Sequence, residues 1–393
     1  MGFFKKDLKS KNLIVLDIGS QFLKAILLEI NEEAGTRNLL SWTKEKSFSE
    51  FEKLVSSCQK AIAKIEKKTG IKPSEIFLGV GAEILRGKSS TFCYQRENPQ
   101  QKIDLAELRN LVQRAQWRAY DQLRKLFSQE TGLPEHEARL ANAYIVDIKV
   151  DNEHIPNPVG FEGKTICLTI FNNYTSRENL EMFFRLSAEL ELDLRGINSQ
   201  PYALFYGLEV GNLKEDVLII DIGGRVTDIV LVKNRGEVID IKTFNLGGYL
   251  FTKTLSEFLE VDLDDAEVIK NKYSKGEIGL AAKQKLDKLF ASNIDFWFNG
   301  IKIVLKEFYE SYGRSPKTIL LCGGGSVLPG MSEALKKGGF KTRIVSAQEI
   351  TRINNKTKLQ NIGSLALASL ACESTESNEF YPILKRAMRL IQS

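Results

Sequence analysis

Histidine and patterned cysteine are what this sequence most clearly lacks. It has two histidines, His136 and His154, and five scattered cysteines without a CxxC spacing. Zinc sites and disulfide frameworks need clusters of these residues, so neither is expected, and a reducing cytoplasm is the default compartment. A Ser-His or Cys-His nucleophile also has little support.

Long apolar runs and a strong excess of one charge are missing too. No run approaches the roughly 18 residues that a membrane-spanning helix needs. The N-terminal stretch MGFFKKDLKSK lacks the apolar core of a secretory signal. The formal net charge of the 393 residues is +5, which is too small by itself to indicate a nucleic-acid partner.

Two stretches about half a chain apart share one pattern. NLIVLDIGSQFLKAILLEI, residues 12–30, aligns without a gap with DVLIIDIGGRVTDIVLVKN, residues 216–234. Each reads as an apolar strand, an acid, a glycine-containing turn and a second apolar strand, which predicts a β-hairpin. A hairpin repeated at this distance indicates a duplicated domain.

The turns of these hairpins have the chemistry of a phosphate site. Gly19, Gly223 and Gly224 allow backbone amides to approach an anion closely, and successive amides in such a turn form an anion-binding nest. Ordinary hairpins with solvated acids are the alternative, and the shared register of the two copies argues against it.

Charged residues occupy matching positions in the two hairpins. Asp17 and Asp221 end the first strands and are predicted to hold Mg²⁺ through waters. Lys24 aligns with Asp228 and is predicted to neutralise phosphate as a point cation.

Two more glycine-rich stretches follow. TILLCGGGSVLPGM, residues 318–331, is an apolar strand that runs into Gly323, Gly324 and Gly325, where bare backbone can lie against a flat ring. In NLGGYLFTKTLSEFL, residues 245–259, Gly247 and Gly248 precede a helix, and a helix N-terminus favours phosphate.

In this order the pieces resemble the actin/chaperone/sugar-kinase ATPase superfamily. The resemblance implies an α/β, actin-like ATPase fold of two duplicated ribonuclease-H-like halves that binds ATP and Mg²⁺. The hairpins resemble the phosphate-1 and phosphate-2 loops, and LCGGGSVLPG resembles the adenosine motif. The implied cofactor-binding residues are Asp17, Gly19, Ser20, Lys24, Gly223, Gly224, Thr227, Asp228, Gly247, Gly248, Glu267, Lys270, Gly323, Gly324 and Gly325.

Two helical segments complete the resemblance. INSQPYALFYGL, residues 197–208, resembles the connecting helix of the superfamily, in which a Gln or Glu positions the attacking water. This implies that Gln200 and Asp221 are the catalytic residues. DDAEVIKNKY, residues 264–273, resembles the helix whose Glu and Lys contact the ribose, here Glu267 and Lys270. An exposed helical face is the alternative for that pair.

An inserted segment that ends in IPNPVGFEGK resembles the subdomain of the bacterial cell-division protein FtsA, and the pilus-assembly protein PilM has a related insertion. The implied units are a first actin-like subdomain at 1–74 and 165–210, the FtsA-type insertion at 75–164, a second actin-like subdomain at 211–246 and 313–371, a compact helical subdomain at 247–312, a linker at 372–379 and an amphipathic helix at 380–393.

The chain departs from the superfamily pattern at two places. Arg225 replaces the third glycine of the phosphate-2 loop, so we expect at most slow ATP hydrolysis. Between Lys270 and Thr318 the sequence predicts mainly two helical runs, 280–290 and 294–312. A typical FtsA has a longer segment with strands there, which docks the tubulin-like FtsZ, so the compact form is closer to PilM.

The C-terminal stretch FYPILKRAMRLIQS predicts an amphipathic helix. Its apolar face carries Ile383, Leu384, Met388, Leu390 and Ile391, and its other face carries Lys385, Arg386 and Arg389. Such a helix either packs on the protein body or anchors the chain to an anionic membrane surface. The resemblance to FtsA favours the anchor.

Together these features predict an ATP-binding division protein that polymerises on the inner face of the cytoplasmic membrane, at the division site, and tethers the FtsZ ring. Its expected partners are an FtsZ-like tubulin homologue, further copies of itself and anionic lipid, with no nucleic acid. A PilM-like scaffold for type IV pilus assembly is the main alternative. A sugar or metabolite kinase is another, although the sequence has no second substrate motif.

Overall fold

The computed structural model describes residues 10–31, 33–210, 213–234, 236–355, 357–373 and 381–392. The MGFFKK start and most of the predicted linker lie outside these ranges. No helix within them is long and apolar enough to span a membrane.

The first half of the fold is a six-stranded sheet with helices. Its strands are β1 (Lys11–Ile18), β2 (Phe22–Asn31), β3 (Thr36–Lys46), β4 (Glu75–Val80), β9 (Asp193–Ser199) and β15 (Asn354–Asn355), in the order β15-β3-β2-β1-β4-β9. Its helices are α1 (Phe51–Thr69), α3 (Arg177–Glu189), α4 (Gln200–Gly207) and α9 (Ile362–Glu373).

The second half and the insertion share one nine-stranded sheet. The second half contributes β10 (Val217–Ile222), β11 (Thr227–Lys233), β12 (Glu237–Phe244), β13 (Thr318–Cys322) and β14 (Lys341–Ile344). The insertion contributes β5 (Arg86–Gln95), β6 (Ala138–Val150), β7 (Glu153–His154) and β8 (Thr165–Ser176), with helix α2 (Leu105–Thr131) against them. The order is β14-β13-β10-β11-β12-β5-β8-β6-β7.

The two halves repeat one topology. In each, a hairpin pairs antiparallel with a third strand on one side, while two parallel strands follow on the other: β3-β2-β1-β4-β9 and β12-β11-β10-β13-β14. The register is also repeated, because Asp17 lies opposite Lys24 and Asp221 lies opposite Asp228. The predicted duplication is confirmed.

The borders of the insertion differ from the predicted 75–164. β4 pairs in parallel with β1 and therefore belongs to the first-half sheet. β8, which was assigned to the first half, pairs with β5 and β6. The inserted unit thus runs from β5 to β8, because the apolar strand after IPNPVGFEGK completes its sheet.

The segment before β13 folds into α5 (Gly248–Leu259), α6 (Leu263–Ser274) and α7 (Leu280–Tyr312), and α8 (Met331–Lys337) follows β13. The two predicted helical runs form one continuous helix, α7, because residues 291–293 contain no glycine or proline to interrupt it.

One disulfide is present although none was expected. Cys93 on β5 and Cys167 on β8 are bonded, 74 residues apart in sequence. They are direct cross-strand partners, so strand pairing brings them together in a way that sequence spacing does not reveal. The remaining cysteines, Cys58, Cys322 and Cys372, are buried and take no part in a disulfide.

The C-terminal helix α10 (Tyr381–Gln392) packs on α2 and β6 of the insertion. Leu384 is 1% exposed, and Ala387 and Ile391 are also buried. Ile383 and Met388 pack at the edge of the same apolar clusters. The side chains of Lys385 and Arg386 are exposed on the opposite face.

The packing of α10 can be tested by truncating its central side chain. Leu384→Ala should lower the free energy of unfolding by about 2–5 kcal/mol because it leaves a cavity against α2. Urea unfolding of the full chain measures this. Lys385→Ala, on the exposed face of the same helix, is the matched control. Equal stabilities of the two variants would contradict the packing.

Candidate nucleotide site

The two hairpin turns face each other across a cleft between the halves. The backbone N–H of Arg225 donates to Ser20 Oγ at 3.1 Å. A Cβ on Gly224 would lie 2.6 Å from Gln21 Oε1, so the close approach of the loops requires glycine there. The predicted residues that line the cleft are Asp17, Gly19, Ser20, Lys24, Gln200, Asp221, Gly223, Gly224, Asp228, Gly248, Glu267, Lys270, Gly323, Gly324 and Gly325.

Asp17 accepts three side-chain hydrogen bonds in the cleft. It is 2% exposed, and Lys24 Nζ donates to its Oδ2 at 2.9 Å. The hydroxyl of Ser364 donates to the same oxygen, and Gln200 Nε2 donates to Oδ1. Gln200 is therefore placed in the cleft as predicted, with its amide nitrogen committed to Asp17.

In the second half, no lysine lies opposite the acid that corresponds to Asp17. Asp221 lies opposite Asp228, an acid where the first half has Lys24. Burial raises the pKa of Asp221 to about 6; Lys24 across the cleft opposes this rise and Asp17 adds to it. Burial raises the pKa of Asp228 well above its ordinary value, and the charges of Glu83 and Asp221 add to that effect.

The donor set fits magnesium only if the ion is held largely through waters, as predicted. Among the described residues no group of three or more His, Cys, Asp or Glu side chains could hold a metal ion. Mg²⁺ is commonly bound by one or two carboxylates together with substrate phosphates and waters. Asp221 has the freer carboxylate, because Asp17 is engaged by Lys24, Ser364 and Gln200.

Glu267 and Lys270 form a partly buried pair on α6. Lys270 Nζ lies 2.6 Å from Glu267 Oε2 and also donates to Thr252 Oγ1 and to the carbonyl of Gly248. Lys270 is 6% exposed. The pair faces the cleft rather than an open helical surface, which is the geometry that a ribose contact requires.

The three positions after β13 are occupied by glycine for different structural reasons. A Cβ on Gly323 would lie 2.1 Å from Asp221 Oδ1, and one on Gly325 would lie 2.3 Å from Ile222 Cγ2. These two glycines allow the loop to lie against β10. A Cβ on Gly324 would meet nothing within 4 Å, so Gly324 presents open backbone to a ligand.

Two predicted residues serve the fold instead of lining the cleft. Thr227 is fully buried; its hydroxyl donates to the Leu246 carbonyl and accepts from Trp297 Nε1. Gly247 packs on the phosphate-2 loop, where a Cβ would lie 2.7 Å from the Gly223 carbonyl oxygen.

The expected use of the α5 N-terminus also differs. The N–H groups of Gly248 and Tyr249 donate to the carbonyls of Gly223 and Gly224 at 2.9 and 2.7 Å. These first amides of α5 therefore hold the phosphate-2 loop and are not available to a phosphate.

Arg225 points away from the cleft. Its guanidinium lies 4.9 Å from the centre of the Tyr249 ring, in a neighbouring pocket that Gly247, Tyr249 and Lys253 also line. The side chain does not obstruct phosphate, because the residue takes part in the loop through its backbone only.

Sequence reasoning missed two charged residues of the cleft, Lys44 and Glu83. Lys44 lies opposite Lys24 on β3, with its ammonium 3.4 Å from the centre of the Phe22 ring. Burial lowers the pKa of Lys44, and the nearby charge of Lys24 lowers it further. Strand pairing places Lys44 beside Lys24, so the register of β2 and β3 was the signal that could have found it.

The predicted membrane residues divide between two environments. The apolar members Ile383, Leu384, Met388 and Ile391 face the insertion, whereas Leu390 is 47% exposed. The side chain of Arg389 lies outside the described residues. In this conformation the protein body, and not solvent, covers most of the apolar face.

Comparison with known proteins gives two related families. A family model described as type IV pilus assembly protein PilM matches residues 205–372. Cell division protein FtsA of Enterococcus faecalis is 22% identical over 410 residues, which cover 97% of this chain and 87% of that protein. FtsA of Neisseria meningitidis is 26% identical over 265 residues, 60% of this chain and 63% of that protein.

A solved structure, the PilM–PilN type IV pilus biogenesis complex, contains a chain with the same fold. Its TM-score is 0.65 at 18% identity, covering 93% of this chain and 99% of that chain. The chain therefore has the predicted actin-like α/β fold, and in sequence it is similar to FtsA along most of its length.

Asp221 offers a test of the electrostatics of the cleft. The folded state raises the pKa of this carboxyl from 3.8 to about 6, so ionising it costs stability as pH rises through that interval, and the cost stays constant above it. Asp221→Asn should raise the unfolding free energy by about 2–3 kcal/mol near pH 8 and hardly at all near pH 4. Denaturant unfolding at the two pH values measures this. Asp193→Asn, at an exposed position, should leave the unfolding free energy unchanged at both pH values. An Asp221→Asn protein that is less stable than wild type near pH 8 would contradict the raised pKa of Asp221.

Proposed function

We propose that this chain is an ATP-binding, actin-like protein of the division machinery that polymerises on the inner face of the cytoplasmic membrane and tethers an FtsZ-like tubulin homologue. The similarity to FtsA over nearly the whole chain supports the division context. The observation that carries nucleotide binding is the pair of duplicated acid–glycine hairpins that face each other across one cleft.

The charges of the cleft suit a triphosphate with its metal. Lys24, Lys44 and Lys270 line it together, and cations of this kind contact phosphate as point charges. Mg²⁺ on the phosphates would supply Lewis-acid stabilisation of charge beside Asp221. The open backbone at Gly324 suits a contact with the base, and the Glu267–Lys270 pair suits a contact with the ribose.

Hydrolysis is proposed to be slow. Arg225 no longer supplies the reason, because its side chain lies outside the cleft. The reason is positional: the amide nitrogen of Gln200 is engaged by Asp17, so it is not free to orient an attacking water while that hydrogen bond lasts.

Substitutions of two lysines test nucleotide binding. Lys24→Ala and Lys44→Ala should each weaken ATP binding, because a charge-assisted contact contributes about 1.5–3 kcal/mol, or about 10- to 100-fold in Kd. Calorimetric titration with ATP and Mg²⁺ measures the change, and Lys60→Ala, exposed on α1, is the control. If both cleft variants bind ATP with wild-type affinity, the cleft is not the nucleotide site.

Membrane binding by α10 requires a change from the conformation described. Leu384, Ala387 and Ile391 are buried against the insertion, so inserting the apolar face into lipid means undocking the helix. We propose that α10 is docked in the monomer and is released when copies assemble on the membrane. Many released helices on one filament would bind together far more tightly than one, by about 10²–10⁴-fold.

The exposed face of α10 allows the membrane contact to be tested without disturbing the packing. Lys385→Glu with Arg386→Glu should reduce co-sedimentation with anionic liposomes by at least about 30-fold, since each basic residue contributes about 1 kcal/mol at such a surface. Lys67→Glu with Lys68→Glu makes the same charge change on the exposed end of α1. If the two double variants sediment equally, α10 has no specific membrane contact and is a packed helix.

A PilM-like pilus scaffold is the second candidate. Two observations favour it: residues 245–317, between β12 and β13, contain three helices and no strand, and the PilM family model covers residues 205–372. The cellular location of the tagged protein separates the candidates, because a midcell ring indicates division and polar foci indicate pilus assembly.

A further inference from the structure

A carboxylate that belongs to none of the recognised motifs, that of Glu83, lies just after the end of β4. β1, β4 and β9 are parallel neighbours in the sheet, so their carboxyl ends meet at one edge. Asp17 lies near the end of β1 and Gln200 directly follows β9. Glu83 follows β4, the strand between them, and its side chain lines the same cleft.

The local backbone fixes the direction of Glu83. The N–H groups of Ile84 and Leu85 donate to the Gly81 carbonyl at 3.1 and 3.0 Å, which closes a turn. The carboxylate folds back over Gly81, where a Cβ would lie 2.1 Å from Glu83 Oε2. Leu85 is fully buried and anchors the turn. Only glycine at position 81 leaves room for this arrangement.

Asp228 of the other half lines the same cleft as Glu83 and is 3% exposed. Its Oδ1 and Glu83 Oε2 are both buried, and neither has a hydrogen-bond partner among the described residues. After burial, the charge of Glu83 is the largest cause of the raised pKa of Asp228, in keeping with two carboxyls that line the same cleft.

Glu83 and Asp228 line one cleft, and each has a buried oxygen without a hydrogen-bond partner among the described residues. Buried polar groups are almost always hydrogen-bonded, so we expect a bound water there. A water molecule has two O–H donors and satisfies both carboxyls at once. Its oxygen lone pair then points away from them, into the cleft.

We propose that Glu83, with Asp228 beside it, binds the water that attacks the γ-phosphate of ATP, and that Glu83 is the general base for hydrolysis. This inference rests on the proposed nucleotide site. The water oxygen forms a bond to the γ-phosphorus, and the bond from phosphorus to the β–γ bridging oxygen breaks, with its electron pair leaving on ADP. One water proton passes to Glu83 and then to solvent, and the other stays on inorganic phosphate.

Glu83 can accept a proton from the attacking water, which Gln200 cannot do. An amide side chain orients a water but accepts no proton at neutral pH, and the nitrogen of Gln200 already donates to Asp17. The two residues lie on neighbouring strand ends, so they approach one ligand from adjacent directions.

The test is hydrolysis of ATP with Mg²⁺ in single turnover by the full-length chain. Glu83→Gln keeps the shape of the side chain and removes the base, so the rate should fall by about 10²-fold or more, the usual contribution of general-base catalysis. ATP affinity by calorimetry should stay within about threefold of wild type. Glu83→Asp should recover part of the rate, and Glu181→Gln, exposed on α3, should match wild type.

The possible failures are distinguishable. A Glu83→Gln protein that hydrolyses ATP at the wild-type rate overturns the inference. So does a wild-type protein that binds ATP and never hydrolyses it, although the proposed function then survives. A wild-type protein that binds no ATP overturns the proposed function itself. A parallel loss of affinity and rate in Glu83→Gln would show that Glu83 only supports the cleft.

Discussion

The candidate site depends on one constraint, namely that the buried carboxylate of Asp17 must be hydrogen-bonded. An unpaired buried charge costs several kcal/mol even after relaxation, so Asp17 is tolerable at 2% exposure only with its donors in place. Those donors come from three distant elements, Lys24 on β2, Gln200 at the start of α4 and Ser364 on α9. The wall of the cleft can therefore assemble only when the first-half sheet and both helices have packed.

The parts of the site that sequence predicted are local. The hairpins, their glycine turns and the opposition of Asp17 to Lys24 follow from strand alternation and a two-stranded register. Lys44 and Glu83 were not predicted as site residues, because their positions depend on which strands become neighbours. Thr227 and Gly247 were assigned to the ligand because a motif does not reveal which of its members support the loop and which face the cleft. The insertion borders shifted for a related reason, since β4 and β8 are assigned by pairing and not by composition.

The C-terminal helix shows a different limit. A helix with an apolar stripe opposite a basic face can bury that stripe in a lipid surface or against a hydrophobic patch on the same chain. The sequence does not distinguish the two, because the hydrophobic effect depends on the buried area and not on the identity of the covering surface. The structure supplies the missing fact, a patch on α2 and β6 that fits Leu384 and Ile391. Docking on the body and binding to lipid are therefore competing states of one helix, and whichever surface is more available determines the population.

The two halves differ in how they compensate their buried acids. The first half neutralises its acid internally with Lys24, whereas the second places Asp228 opposite Asp221 and adds Glu83 from across the cleft. Burial raises the pKa values of both Asp221 and Asp228, and the neighbouring acids add to the effect. A ligand that brings positive charge to Asp221 and a hydrogen-bond donor to Asp228 would offset the cost of ionising them, and a nucleotide with its metal and hydration water brings both. Since Asp228 and Glu83 belong to opposite halves, a donor that serves both carboxyls also favours a closed cleft, which gives the bound state a reason to differ in shape from the free one.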